Sequence, residues 1–170
     1  EVNIPAGVDD GSVINVRGQG NPGENGGPDG NLFVIVSVAP HKLFKRNNLD
    51  LELEIPITFA QAALGADVVI PTMEEKVSYK VPAGTQPGTV FRLKGKGVKS
   101  PNTGITGDLY VKVVLEVPRN LTESQKKLIQ EFEDGSTAEM YTKKKSFGEI
   151  VRELFTDAEK KAERKKKKKK

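Results

Sequence analysis

Three glycines at positions 18, 20 and 23, in the stretch GQGNPG, have the spacing of a loop that cradles a dinucleotide pyrophosphate. That chemistry needs a helix to open at the third glycine, because helix N-terminal N–H groups hold the phosphates. Here Pro22 and a run rich in Gly, Pro and Asn follow, leading into NLFVIVSV, which alternates like a strand. The glycines therefore read as loop residues, and no nucleotide is expected. The other chemistry-bearing side chains are sparse. His41 is the one histidine and cysteine is absent, so neither a thiolate nor a histidine-rich metal site can be assembled. No nucleophile, base and orienting group can be grouped around His41. Asp9, Asp10, Glu74 and Glu75 fall in turn-like stretches, where carboxylates are commonplace. No catalytic residue, metal or cofactor is expected in this segment.

A second glycine series explains the first. Shifted by 77 residues, IPAGVDDGSVINVRGQG from Ile4 lies over VPAGTQPGTVFRLKGKG from Val81 without a gap. The register holds until GNLFVIV from Gly30 meets GDLYVKV from Gly107. Pro5, Gly7, Gly11, Val13, Gly18, Gly20, Gly30, Leu32, Val34 and Val36 each find an identical partner. The second copy, GKGVKS, lacks the third glycine of the nucleotide pattern. The chain thus carries two copies of one unit, each read as strand, turn, strand, loop, strand.

Between the copies, Leu51, Leu53 and Ile55 alternate with Glu52 and Glu54, the pattern of a strand with one wet face. TFAQAALG reads as a short helix opened near Thr58 and stopped by Gly65; ADVVIPT and VSYKV read as strands around an MEEK turn. The counterpart of residues 49–76 would precede Glu1, so the chain reads as a C-terminal fragment cut inside its first domain. Two later stretches have helical period. LTESQKKLIQEF offers Thr122 and Gln125 at capping-box spacing and puts Leu121, Leu128, Ile129 and Phe132 on one face. SFGEIVRELF does the same with Phe147, Ile150, Val151, Leu154 and Phe155. Either stripe could cover its own domain or a two-fold partner.

Composition suits a soluble globular protein, with 36% apolar and 29% charged residues among 170. No apolar run is long enough to span a membrane, and a cytoplasmic location is expected. The net charge of +4 is unevenly placed. Residues 139–170 hold 13 Lys/Arg against 6 Asp/Glu, a surplus of +7, while the remainder is at −3. The terminal lysine run reads as a solvated tail; neither membrane nor nucleic acid is expected as a partner.

The quoted segments IPAGVDDGSVINVRGQGNPGENGGPDGNLFVIVSVAPHKLFKR, PITFAQAALGADVVIPT, VPAGTQPGTVFRLKGKGVKS and GDLYVKVVLEVPRNLTESQKKLIQEF resemble the C-terminal region of the DnaJ family of bacterial J-domain co-chaperones. The resemblance covers residues 1–133. MEEK and RNNLD depart from the family's usual turns, and the tail from Ser136 is less typical.

The resemblance implies a mainly β fold: two tandem β-sandwich domains, the first truncated at its N-terminus, plus C-terminal helices. The domain reading is residues 1–40 for the remaining half of the first sandwich and 41–48 for a junction. Residues 49–119 form the second sandwich, 120–155 the dimerisation helices, and 156–170 a basic disordered tail. It implies a non-enzymatic role: binding unfolded polypeptides, preventing aggregation, and passing clients to a DnaK-type ATPase chaperone in protein folding and the heat-shock response. Val2, Ile4, Leu32, Val34 and Val36 are the candidate client-binding residues. The candidate homodimer contacts are Leu128, Ile129, Phe132, Phe147, Ile150, Val151, Leu154 and Phe155. Zinc is implied only for an upstream region of the parent protein. The alternative is a carbohydrate-binding or other ligand-binding β-sandwich, which would need an aromatic platform; the chain has no Trp and three Tyr.

Overall fold

A computed structural model of the chain describes the backbone of residues 1–24 and 27–167, and side-chain surroundings to residue 155. The chain divides into two compact units, residues 1–118 and 119–170.

The first unit is built around one long strand. The segment DLELEIPIT forms β4 (Asp50–Thr58), with Leu51, Leu53, Ile55 and Ile57 buried and the residues between them exposed. Strand β8 (Leu109–Glu116) pairs with it in parallel over the full length, from Leu51↔Leu109 to Thr58↔Glu116. Strands β3 (Phe44–Asn47) and β7 (Val90–Leu93) flank this pair, giving a four-stranded sheet in the order β3-β4-β8-β7. Leu51 N–H bonds to the Asp108 carbonyl, so the even-numbered residues of β4 direct their backbone groups to the opposite edge. Pro56, which has no N–H, lies on that edge past the end of β3, where no ladder bond is lost.

A parallel pair needs a long crossover, and here the crossover supplies the opposing layer. Helix α1 (Phe59–Leu64) begins on a capping box: the Thr58 hydroxyl accepts from Gln61 N–H while the Gln61 side chain accepts from Thr58 N–H. It ends at Gly65, whose φ of 81° and ψ of 154° are positive-φ but not left-handed helical. A β-carbon there would press on the Val81 carbonyl at 3.0 Å. The hairpin of β5 (Ala66–Pro71) and β6 (Lys76–Val81) follows. Ala62, Ile70 and Val81 close the core over Leu51, Leu53, Ile55, Ile57, Leu109, Val111 and Val113.

The 77-residue repeat is present in the strand register and in the hydrogen bonds of its turns. Strands β1 (Val13–Val16) and β2 (Leu32–Ile35) pair as Val13↔Ile35 through Val16↔Leu32, and β7 with β8 as Val90↔Lys112 through Leu93↔Leu109. Gly11 N–H bonds to the Val36 carbonyl and Gly88 N–H to that of Val113; Gly20 bonds to Gly30 as Gly97 bonds to Gly107. What differs is the surroundings. β8 lies between β7 and β4, whereas β2 is paired with β1 alone. Leu109 is fully buried, but its counterpart Leu32 is 40% exposed.

In the second unit, α2 (Glu123–Asp134) opens on the capping box Thr122 and Gln125 and buries none of its side chains. A 3-10 turn, Ala138–Met140, leads to α3 (Thr142–Lys167). Two boundaries differ from the sequence reading. The junction at 41–48 contains strand β3, whose FKRN sequence has only Phe44 buried and so gives no alternating signal. The tail read as disordered from residue 156 continues α3 to Lys167, consistent with its Ala, Glu, Lys and Arg, all strong helix formers; Lys168–Lys170 lie outside the described residues.

The two copies supply a paired test. Leu109→Ala should destabilise the protein by about 2–5 kcal/mol, the usual range for a filled core. Leu32→Ala, in the same register, should cost clearly less. Urea denaturation of the two variants measures the difference.

Candidate functional site

The GQGNPG stretch is shaped by turn geometry. Gly18 has φ of 65°, and a β-carbon on Gly20 would lie 2.7 Å from the Asn31 carbonyl. Its counterpart Gly97 would be crowded by Gly107 and Leu49 in the same way. Among the described residues the chain continues from this loop through residues 27–31 into β2, a strand and not an α-helix.

The remaining polar candidates are occupied with structure. His41 Nδ1 accepts from the N–H groups of Leu43 and Phe44 at 3.1 and 3.2 Å, and its ring lies 5.1 Å from that of Phe44. It shapes the entry to β3. Asp10 caps Val38 N–H at 2.8 Å, and Asp9 pairs with Arg46. Glu75 pairs with Lys96 at 2.8 Å, which holds its carboxyl below the usual range; Glu74 stands 4.0 Å from the same ammonium. Among the described residues no group of three His, Cys, Asp or Glu side chains could hold a metal ion. Tyr79 stacks beside Phe91 at 4.8 Å against the core and offers no open platform for a sugar ring.

Arg46 is a structural centre that periodicity did not flag. Its guanidinium donates to the carbonyls of Val8 at 2.8 Å, Gly7 at 2.9 Å and Asn48 at 2.7 Å, and to the Asp9 carboxylate. Gly7, with φ of 86°, packs so closely on the Lys99 backbone that a β-carbon would overlap its carbonyl oxygen. These contacts fasten the first PAG turn to the second repeat. No local sequence pattern signals them, because the partners are 37 to 39 residues apart.

The candidate client-binding residues divide into two groups. Leu32, Val34 and Val36 share one face of the β1–β2 ribbon with Ile14 and Val16, their cross-strand neighbours being Ile14↔Val34 and Val16↔Leu32. Leu32 is exposed, Val34 half-buried and Val36 buried. Val2 is half-buried and Ile4 exposed; both lie ahead of β1, outside any strand. In the second copy these five positions correspond to Tyr79, Val81, Leu109, Val111 and Val113, all packed in or against the core. The opposite face carries Val13, Phe33 and Ile35, with Phe33 62% and Ile35 73% exposed. Val36 directs its N–H and C=O to β1, so by alternation Phe33 and Ile35 direct theirs to the other edge of β2, which pairs with no strand among the described residues. Among the candidate dimer contacts, Leu128, Ile129, Phe132, Phe147, Ile150, Leu154 and Phe155 are exposed and Val151 is half-buried.

A tandem β module with apolar strand faces, followed by helices, is the class this structure defines. A family model for the DnaJ C terminal domain matches residues 1–118, the span of the first compact unit, and the chain belongs to that family. It is similar to the chaperone protein DnaJ of Clostridioides difficile (strain 630), 48% identical over 91% of this chain and 40% of that protein. The chaperone protein DnaJ of Caldicellulosiruptor bescii is 49% identical over 92% of this chain and 40% of its own length. That of Neisseria gonorrhoeae is 51% identical over 91% and 42%. The chain thus spans about two fifths of the length of these curated relatives.

Asp108 gives the second hairpin a measurable signature. Its carboxylate accepts from Gly95 N–H at 2.7 Å and from Arg92 Nε at 2.6 Å, and these two contacts lower its pKa. Asn31 makes the corresponding bond to Gly18 N–H in the first copy. A carboxyl whose folded pKa is depressed adds stability above its unfolded value, and that stability disappears as pH falls through the folded value. Asp108→Asn preserves an acceptor for Gly95 and removes the titration. Its denaturation midpoint should therefore fall less steeply than the parent's between neutral and acid pH.

Proposed function

We propose that this chain is the client-binding portion of a DnaJ-type co-chaperone, a non-enzymatic module that holds non-native polypeptide and limits its aggregation. The observation carrying this reading is the match of residues 1–118 to the DnaJ C terminal domain family. Leu32, Val34 and Val36, with Val2 and Ile4, would supply the apolar contacts, and an added strand the backbone hydrogen bonds. Backbone pairing accepts any sequence, while apolar contacts favour segments normally hidden in a folded core.

In the whole protein, clients would pass to a DnaK-type ATPase chaperone in the cytoplasm during folding and heat shock. Any zinc would be held elsewhere in that protein, since this chain has no thiolate to offer. We place the homodimer contact on α2, through Leu128, Ile129 and Phe132, which are exposed along a helix with no buried side chain. Burying each would contribute about 1.5–3 kcal/mol towards the entropy of association. Two linked sites would then hold one long client more tightly than either alone.

The chain should slow aggregation of a chemically denatured client, followed by light scattering, without raising the ATP turnover of a DnaK-type chaperone. Leu32→Ser with Val34→Ser should weaken this protection severalfold while Leu128→Ser leaves client contact at a single site intact. Undiminished protection by the double variant would remove the β2 assignment.

For association, Leu128→Ser with Ile129→Ser should convert a sedimenting dimer to monomer, and truncation after Asp134 should not. The reverse pattern would move the contact to α3.

A further inference from the structure

Helix α3 has two unlike sides. Phe147, Ile150, Val151, Leu154 and Phe155 recur at intervals of three, one, three and one, forming one stripe along successive turns. Phe147 is 69% and Leu154 66% exposed. The other side faces the rest of its own unit. Lys144, Gly148 and Arg152 line a cleft against Glu133 and Tyr141, with Lys144 Nζ 3.3 Å from the Glu133 carboxylate and 5.5 Å from the Tyr141 ring centre. The helix therefore spends its polar side on its neighbours and leaves Phe147, Ile150, Leu154 and Phe155 of its apolar side exposed.

The charge of this segment selects among possible covers. Residues 139–170 carry a surplus of +7, including Lys143, Lys144 and Lys145 in the first turn of α3 and the six lysines that end the sequence. A second copy laid on the stripe would bring another +7 alongside the first. A nucleic acid would answer the charge and leave the stripe wet. No helix of the described residues is long and apolar enough to cross a membrane. The sequence expectation against a membrane partner rests on that lack of a spanning segment, but a helix lying in the headgroup plane needs none.

We propose that α3 is an interfacial anchor for anionic lipid, its stripe seated at the acyl boundary and its lysines among the headgroups. An amphipathic helix in this position gains from apolar burial and from attraction to the charged leaflet together. The inference is independent of the client-binding reading, which concerns a different unit of the chain.

Flotation of the full chain with vesicles tests it. The chain should float with vesicles of mixed phosphatidylserine and phosphatidylcholine, remain at the bottom with phosphatidylcholine alone, and be released by high salt because the lysine term is screened. Phe147→Ser with Leu154→Ser changes exposed side chains and should abolish flotation; replacing Lys165–Lys170 with glutamine should weaken it severalfold. Leu128→Ser should float like the parent. Failure of the parent to float with anionic vesicles would overturn the proposal. So would equal flotation by the stripe variant, which would reduce the contact to charge alone. Retention of polyuridylate by parent and stripe variant alike, without lipid binding, would assign the lysines to nucleic acid instead. Loss of a sedimenting dimer in the stripe variant, again without lipid binding, would assign the stripe to a second copy.

Discussion

The parallel pairing of β4 with β8 is the constraint on which the first unit depends. Eight consecutive residue pairs set Leu51, Leu53, Ile55 and Ile57 beside Leu109, Val111 and Val113 on one buried face. Two parallel strands cannot be joined by a tight turn, so the chain must leave the sheet and return. That excursion is where α1, β5 and β6 arise, and their Ala62, Ile70 and Val81 form the lid of the core. The Thr58–Gln61 cap starts the excursion at the last residue of β4. The glycines of the β7–β8 loop make the close approach to Leu49 that allows β8 to enter beside the start of β4.

Duplication turns this constraint into a comparison within one molecule. The β1–β2 ribbon keeps the register, turn glycines and loop bonds of β7–β8 while lacking the parallel neighbour. Hairpin geometry thus resides in the turn chemistry, and burial comes from the strand laid alongside. The outer faces have diverged further. Lys112, bonded to Glu54, occupies the position of Ile35, and Tyr110 that of Phe33.

Much of this was legible in residue order. The 77-residue offset, the alternation in LDLELEI and the two Thr-x-x-Gln caps are local or periodic signals, and each corresponds to an element with the expected bounds. The apolar candidates on β2 were also nameable, since strand alternation separates Leu32 and Val34 from Phe33 and Ile35. What residue order concealed is tertiary. Arg46 grips three backbone carbonyls, and carbonyls have no sequence signature. Strand β3 is held by its pairing with β4 rather than by its own pattern.

Pro56 carries a consequence for self-association. An open strand edge can pair with the same edge of another copy, and copies joined edge to edge would grow into insoluble ribbons. Beyond the end of β3, the outer side of β4 meets solvent through Pro56, which cannot donate, and follows Glu52 and Glu54, whose like charges would be stacked in any such ribbon. Along that stretch the longest strand among the described residues offers one backbone donor fewer than an ordinary edge.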